Sequence, residues 1–181
     1  MIVSQIPNFL TLLRIVAVPV MVLLLREEAY DLTFYLFVLA GITDGLDGFI
    51  AKRFGFETRL GAILDPLADK LLLVTAFVML ANQEHLPFWL PVVVVFRDLL
   101  IVSGYLIVQV LQERIQIKPT GISKVNTFLQ ISLIGAVLVD QAGWLALGQG
   151  IDILILTVLV TTVTSGLHYI WVWGFSLNGD D

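Results

Sequence analysis

The chain has 181 residues, 58% of them hydrophobic and 14% charged, where soluble domains carry about 45–50% and about 25%. At a mean hydropathy of +0.94 it has too little polar surface to cover a core in water and is too apolar to be disordered. The absence of cysteine excludes disulfides, thiol catalysis and cysteine-held metals, and a formal charge of −5 without a basic run excludes a nucleic-acid footprint.

A helix needs about 20 apolar residues to cross about 30 Å of hydrocarbon. Six segments qualify: Pro7 to Leu25, Leu32 to Ala51, Ala62 to Ala81, Phe88 to Leu111, Ser123 to Val139 and Ile151 to Gly174. Short polar connectors separate them, with no repeat and no linker. The pattern predicts an all-α integral membrane bundle of six transmembrane helices forming one domain over residues 1–181. The first segment lacks a positively charged lead-in and contains Arg14, so it reads as a retained span rather than a cleaved signal. Met1 to Gln5 read as a frayed end.

Six spans put both termini on one side. Lys52, Arg53, Arg59, Arg114 and Lys118 fall in the connectors after spans two and four and Lys124 at the very start of span five, so six of the ten basic residues gather on that side. The positive-inside rule therefore makes those connectors and both termini cytoplasmic.

Ionisable groups inside spans cost about 2.5–3.5 kcal/mol each on insertion scales, and their presence points to function. Here they are Arg14, Asp44, Asp47, Asp65, Asp69, Lys70, Arg97 and Asp98. Asp44 and Asp47 stand three apart and Asp65 and Asp69 four apart, so each pair shares a helix face. Asp44 lies eight residues before Lys52, about 12 Å along the helix. A short connector joins the two spans, so the pairs are expected to face each other near the cytoplasmic end. Four carboxylates held together call for hard divalent cations, Mg²⁺ or Mn²⁺. Two such ions balance the charge and clamp a pyrophosphate. Gly45, Gly48 and Gly61 beside the acids allow close approach of a ligand or a helix. Structural ion pairs (Lys70 with Asp69, Arg97 with Asp98) or an ion pathway are the other readings of these charges. A cation or proton transporter is the competing class, although such proteins spread acids over several helices and often show internal repeats.

The stretch from Asp44 to Asp69 resembles the signature of the CDP-alcohol phosphotransferases, D-x-x-D-G-x-x-A-R-x8-G-x3-D-x3-D. Asp44, Asp47, Gly48, Ala51, Gly61, Asp65 and Asp69 match in type and spacing; Lys52 stands where the pattern has arginine. Lysine keeps the charge and loses the bidentate phosphate contact. The resemblance implies a membrane enzyme that binds two divalent ions through Asp44, Asp47, Asp65 and Asp69. It further implies a CDP site at Asp47, Gly48, Ala51, Lys52 and Gly61, and Asp69 as the base that deprotonates the incoming hydroxyl. The donor would be CDP-diacylglycerol, the leaving group CMP, and the assembly a homodimer in a bacterial inner membrane with its active site at the cytoplasmic side.

The acceptor is read from other segments. Asn8, Thr11 and Arg14 step by three along span one, in a stretch similar to phosphatidylglycerophosphate synthases and cardiolipin synthases of the same family; a helix-seam stripe reads equally well. Lys118 to Thr127 and Phe96 to Ile101 resemble eukaryotic-type cardiolipin synthases. Glycerophosphate-accepting relatives carry a second arginine eight residues after the one matched by Arg97, and here that residue is Tyr105. A dianionic soluble acceptor needs such cations, so the resemblance implies a glycerol-type acceptor lipid, phosphatidylglycerol. Glycerol-3-phosphate is the alternative. Arg14, Arg97 and Lys124 are the candidate phosphate contacts, and Lys124, Thr127 and Gln130 step along span five on the acceptor side or in a packing seam. Trp89, Trp144, Trp171 and Trp173 read as interfacial anchors, His85 as a solvated loop residue and His168 as a packed seam residue.

Overall fold

The computed structural model describes residues 6–54, 59–111 and 121–178, and side chains over 12–45, 70–104 and 121–171. Its elements are α1 (Ile6–Arg26), α2 (Tyr30–Phe54), α3 (Arg59–Asn82), α4 (Trp89–Leu111), α5 (Gly121–Gln141) and α6 (Gln149–Asn178). Each expected span falls on one of these helices, and the described residues contain no strand. Helix is the form that satisfies every backbone group within the segment, which is what an apolar environment demands. Pro19 is accommodated inside α1 although its ring removes one backbone donor.

Helices α1, α3 and α5 end alike. Glu28, Glu84 and Gly143 each adopt positive φ, of 57°, 63° and 72°. The following residue then returns its N–H across the last turn: Ala29 to Leu24 O, His85 to Leu80 O and Trp144 to Val139 O. These are Schellman caps, in which a left-handed residue lets two backbone donors reach terminal carbonyls. The three connectors meet at one end of the bundle. The Gln83 amide donates to Leu25 O, Asp140 Oδ1 accepts from Leu147 N at 2.7 Å, and Trp144 stacks edge-on against Phe34 at 5.3 Å. Trp144 is thus a packed connector residue as well as an end-of-span aromatic.

His85 departs from expectation. It is half-buried, and its Nε2 shares a hydrogen bond with the Tyr30 hydroxyl at 2.8 Å, so it pins the α3–α4 connector to the start of α2. Burial lowers its pKa, against weaker raising effects of Glu28 and Asp140. A histidine whose folded pKa lies below its unfolded value of about 6.5 stabilises the fold fully above that value and loses this contribution as pH falls towards the folded pKa. The melting temperature, followed by thermal unfolding in detergent, should therefore fall more steeply between pH 7.5 and 5.5 for the wild type than for His85→Gln.

The apolar core fills this end. Met21, Leu25, Phe77, Leu80, Leu90, Leu133 and Leu138 are fully buried there. Towards the other end, where α1, α3 and α5 begin, the described buried residues include the polar Arg14, Arg97, Asp98, Asn126, Thr162 and Ser165 beside Leu72, Leu73 and Tyr169. The outward faces are apolar. Val92, Phe96, Leu99 and Val102 form an exposed stripe along α4, and Ile153, Leu156, Val160, Val163 and Leu167 form one along α6. So much exposed apolar area suits contact with lipid. Among the described residues, Gly121–Gln141 and Gln149–Trp171 are long and apolar enough to cross a membrane.

Candidate active site

The charged residues of the helices are organised in two groups. In the first, Arg14 Nη2 of α1 donates to Asp44 Oδ1 of α2 at 3.0 Å. The Arg14 side chain is 1% exposed and that of Asp44 39% exposed. The guanidinium is therefore sunk in the bundle while the carboxylate opens outward. A carboxylate has about four lone-pair directions on two oxygens, so Arg14 occupies only part of what Asp44 offers. This contact joins an acceptor-side candidate to the first acid of the motif, which sequence spacing did not reveal.

The second group centres on Asp98 of α4. Its Oδ1 accepts from Arg97 Nη1 at 2.9 Å, and its Oδ2 pairs with the Lys70 ammonium of α3. Arg97 also donates from Nη2 to Ser123 Oγ of α5 at 2.7 Å and from Nε to Ser165 Oγ of α6 at 3.2 Å. One guanidinium and one carboxylate thus tie four helices. The pairing of Arg97 with Asp98 is the structural ion pair that stood as the alternative to a phosphate contact. Lys70 pairs across helices with Asp98, a partner that its chain position beside Asp69 did not suggest. The Arg97 guanidinium is spent on this network, and the residue is buried.

Between the groups lies a cavity of about 480 Å³, lined by Phe37, Val38, Gly41 and Ile42 of α2, Leu72 and Leu73 of α3 and Ile131 of α5, with Arg14, Asp44, Lys70 and Thr127 also on its wall. Among the described residues α2 and α3 share no substantial direct packing; each packs on α1, and both line this cavity. Beside Asp44 and Lys70 the two acid-bearing helices thus border a common space; the expected face-to-face arrangement of the four acids falls on side chains outside the described residues.

Asn126 and Gln130 are fully buried one turn apart on α5. Asn126 Oδ1 accepts from Thr161 at 2.8 Å and from Thr162 at 2.9 Å, so this stretch of α5 is a hydrogen-bonded seam with α6. Thr127 faces the cavity and Lys124 is exposed. The side chains of Asp47, Gly48, Ala51, Lys52, Gly61, Asp65 and Asp69, and of Asn8 and Thr11, lie outside the described residues; their backbone lies in α2, α3 and α1. Asp44 is the motif acid whose side chain is described. Its hard oxygen donors, partly open to the cavity, suit Mg²⁺ or Mn²⁺.

A family model described as CDP-alcohol phosphatidyltransferase matches residues 4–173, nearly the whole chain. The chain belongs to this family. Members named as cardiolipin synthase (CMP-forming) include those of Homo sapiens, 35% identical over 72% of this chain and 49% of its own length, and Rattus norvegicus, 33% identical over 91% and 60%. The chain thus spans about half to three-fifths of these relatives. A CDP-diacylglycerol–glycerol-3-phosphate 3-phosphatidyltransferase of Blochmanniella floridana is 33% identical over 93% of this chain and 90% of its own length.

Proposed function

We propose that the protein transfers a phosphatidyl group from CDP-diacylglycerol to phosphatidylglycerol, giving cardiolipin and CMP. The observation that carries this reading is the motif from Asp44 to Asp69 set beside an apolar cavity whose wall bears Arg14, Asp44 and Lys70. A cavity of that character suits a lipid better than a small dianion. In this reading all six helices span the membrane, residues 1–181 act as one domain, both termini and the active site face the cytoplasm of a bacterial cell, and two copies form a dimer.

Asp44, Asp47, Asp65 and Asp69 would hold two Mg²⁺ or Mn²⁺ ions, which supply charge neutralisation on the pyrophosphate when bound. Gly48, Ala51 and Gly61 present bare backbone to the cytidine, and Lys52 offers a cation to the donor phosphates. Asp69 takes the proton from the acceptor hydroxyl as that oxygen bonds to the donor's phosphorus and CMP departs with the electron pair of the broken P–O bond. Arg14 orients Asp44 through their contact at 3.0 Å. Excess chelator should abolish turnover, and added Mg²⁺ or Mn²⁺ should restore it.

Lys52→Arg should retain or raise activity, because arginine restores the two-pronged phosphate contact of the family pattern. A large fall in kcat/KM for CDP-diacylglycerol would show that the local geometry is built around lysine.

Glycerol-3-phosphate is the second reading, favoured by the near full-length match to the Blochmanniella relative. Purified protein given CDP-diacylglycerol with either acceptor decides the matter. Cardiolipin from the phosphatidylglycerol arm supports the proposal. Phosphatidylglycerophosphate alone, from the other arm, replaces it.

A further inference from the structure

Lys70 is not assigned by the mechanism above, yet its position is unusual. Its ammonium is anchored at one side by Asp98, while its side chain remains 41% exposed and lines the cavity among Leu72, Leu73, Phe37 and Ile131. A lysine is a mobile point charge on a flexible stem, and the pairing with a buried carboxylate fixes where that charge sits. Asp98 is itself held by Arg97, so the anchor does not follow the lysine.

We infer that Lys70 binds the phosphodiester of the acceptor lipid, that the adjoining cavity takes one of that lipid's acyl chains, and that Asp98 is the positioning residue for the ammonium. The inference rests on the phosphatidylglycerol reading and adds to it where the acceptor lies. The argument is one of spacing and complementarity. A three-carbon glycerol separates the reacting hydroxyl of phosphatidylglycerol from its phosphodiester, and the proposed base Asp69 is the chain neighbour of Lys70. The two residues share one turn of α3 and diverge by about 100°, so a hydroxyl at the first leaves its phosphodiester on the adjoining side of the helix, where Lys70 borders the cavity. The donor's pyrophosphate has the four motif acids and their cations to meet it, so the acceptor's phosphate needs a cation of its own. The chain attached to that phosphate then meets apolar wall: Val38, Ile42 and Ile131 are partly open at the outward surface and also line the cavity, which gives an acyl chain a lateral way in from lipid. The cavity volume of about 480 Å³ lies within the roughly 300–1,000 Å³ of ordinary ligand sites.

Gly41 provides a clean test. It lines the cavity, and a Cβ built on it meets nothing within 4 Å. Gly41→Leu therefore has room for its Cβ, adds apolar bulk at the cavity wall and improves helix propensity. The full chain is placed in phosphatidylcholine nanodiscs, without donor, together with phosphatidylglycerol bearing a diazirine on one acyl chain. The photoproducts are mapped by mass spectrometry, and turnover with phosphatidylglycerol is measured in parallel. We expect labelling of the wild type between Phe37 and Ile42 and between Thr127 and Ile131. Lys70→Gln should lower it about tenfold, the scale of one charge-assisted contact, and Gly41→Leu should lower it by taking up cavity space, while Lys70→Arg preserves it. Labelling by a diazirine phosphatidylcholine should be weak and unaffected by Lys70→Gln. Labelling confined to the outward faces, or seen only with a diazirine CDP-diacylglycerol, overturns the inference while turnover with phosphatidylglycerol leaves the proposed function standing. Absence of that turnover removes the proposed function itself, and the inference with it.

Discussion

Replacing Asp69 by asparagine should lower turnover by about 10²–10⁴-fold, the usual loss when a positioned general base is removed. The substitution keeps the shape of the side chain and deletes its ability to accept the acceptor's proton. If proton abstraction is its sole task, CDP-diacylglycerol binding should survive, measured by retention of radiolabelled donor on the purified protein under saturating Mn²⁺. If Asp69 also ligates a cation, both turnover and donor retention fall. Asp44→Asn should show the second pattern, because it removes a ligand charge and loosens the Arg14 contact made at 3.0 Å. Near-normal turnover of Asp69→Asn under saturating metal and donor would take this residue out of the mechanism and hand proton transfer to solvent or another carboxylate.

Much of this architecture is legible in the chain because its physics is one-dimensional. Long apolar runs mark the helices, and α1 to α6 begin and end within a few residues of those runs. The motif from Asp44 to Asp69 is legible for a similar reason: side chains three and four apart share a helix face whatever the fold. Legibility fails where partners come from different helices. Nothing in the spacing of Lys70, Asp98 and Arg97 says that one carboxylate serves both cations, or that Arg14 reaches Asp44. The caps show the same division. Gly143 is an ordinary signal for a left-handed helix end, whereas Glu28 and Glu84 adopt that conformation with no residue-type signature, held there by the connectors packed around them. His85 reads as solvated from its polar neighbours, and only the approach of Tyr30 makes it a structural residue.

Asp98→Asn should destabilise the fold by about 3–5 kcal/mol, the cost of leaving one member of a buried ion pair without its partner. Arg97 is 4% exposed and Asp98 7% exposed, so water cannot replace the lost carboxylate. Neutral interhelical hydrogen bonds in membranes average only about 0.6 kcal/mol. Arg97 keeps its bonds to Ser123 and Ser165 in the variant, and bonds of that strength fall well short of compensating a buried guanidinium. The loss also strikes the half of the bundle in which many of the described buried residues are polar. The fully buried leucines and Phe77 lie towards the connector end, whereas α3, α4, α5 and α6 are joined at the opposite half through this network. Unfolding of the detergent-solubilised protein, monitored by circular dichroism against temperature, should show a lowered midpoint for Asp98→Asn. The double variant Arg97→Met with Asp98→Leu should recover part of it, because removing both charges leaves no buried ion to solvate. Lys70, two-fifths exposed at the cavity, then turns towards that opening. Equal midpoints for wild type and Asp98→Asn would mean that the network positions Lys70 without holding the helices. A double variant less stable than the single would mean that the Arg97 stem and its serine contacts, rather than charge pairing, join α4 to α5 and α6.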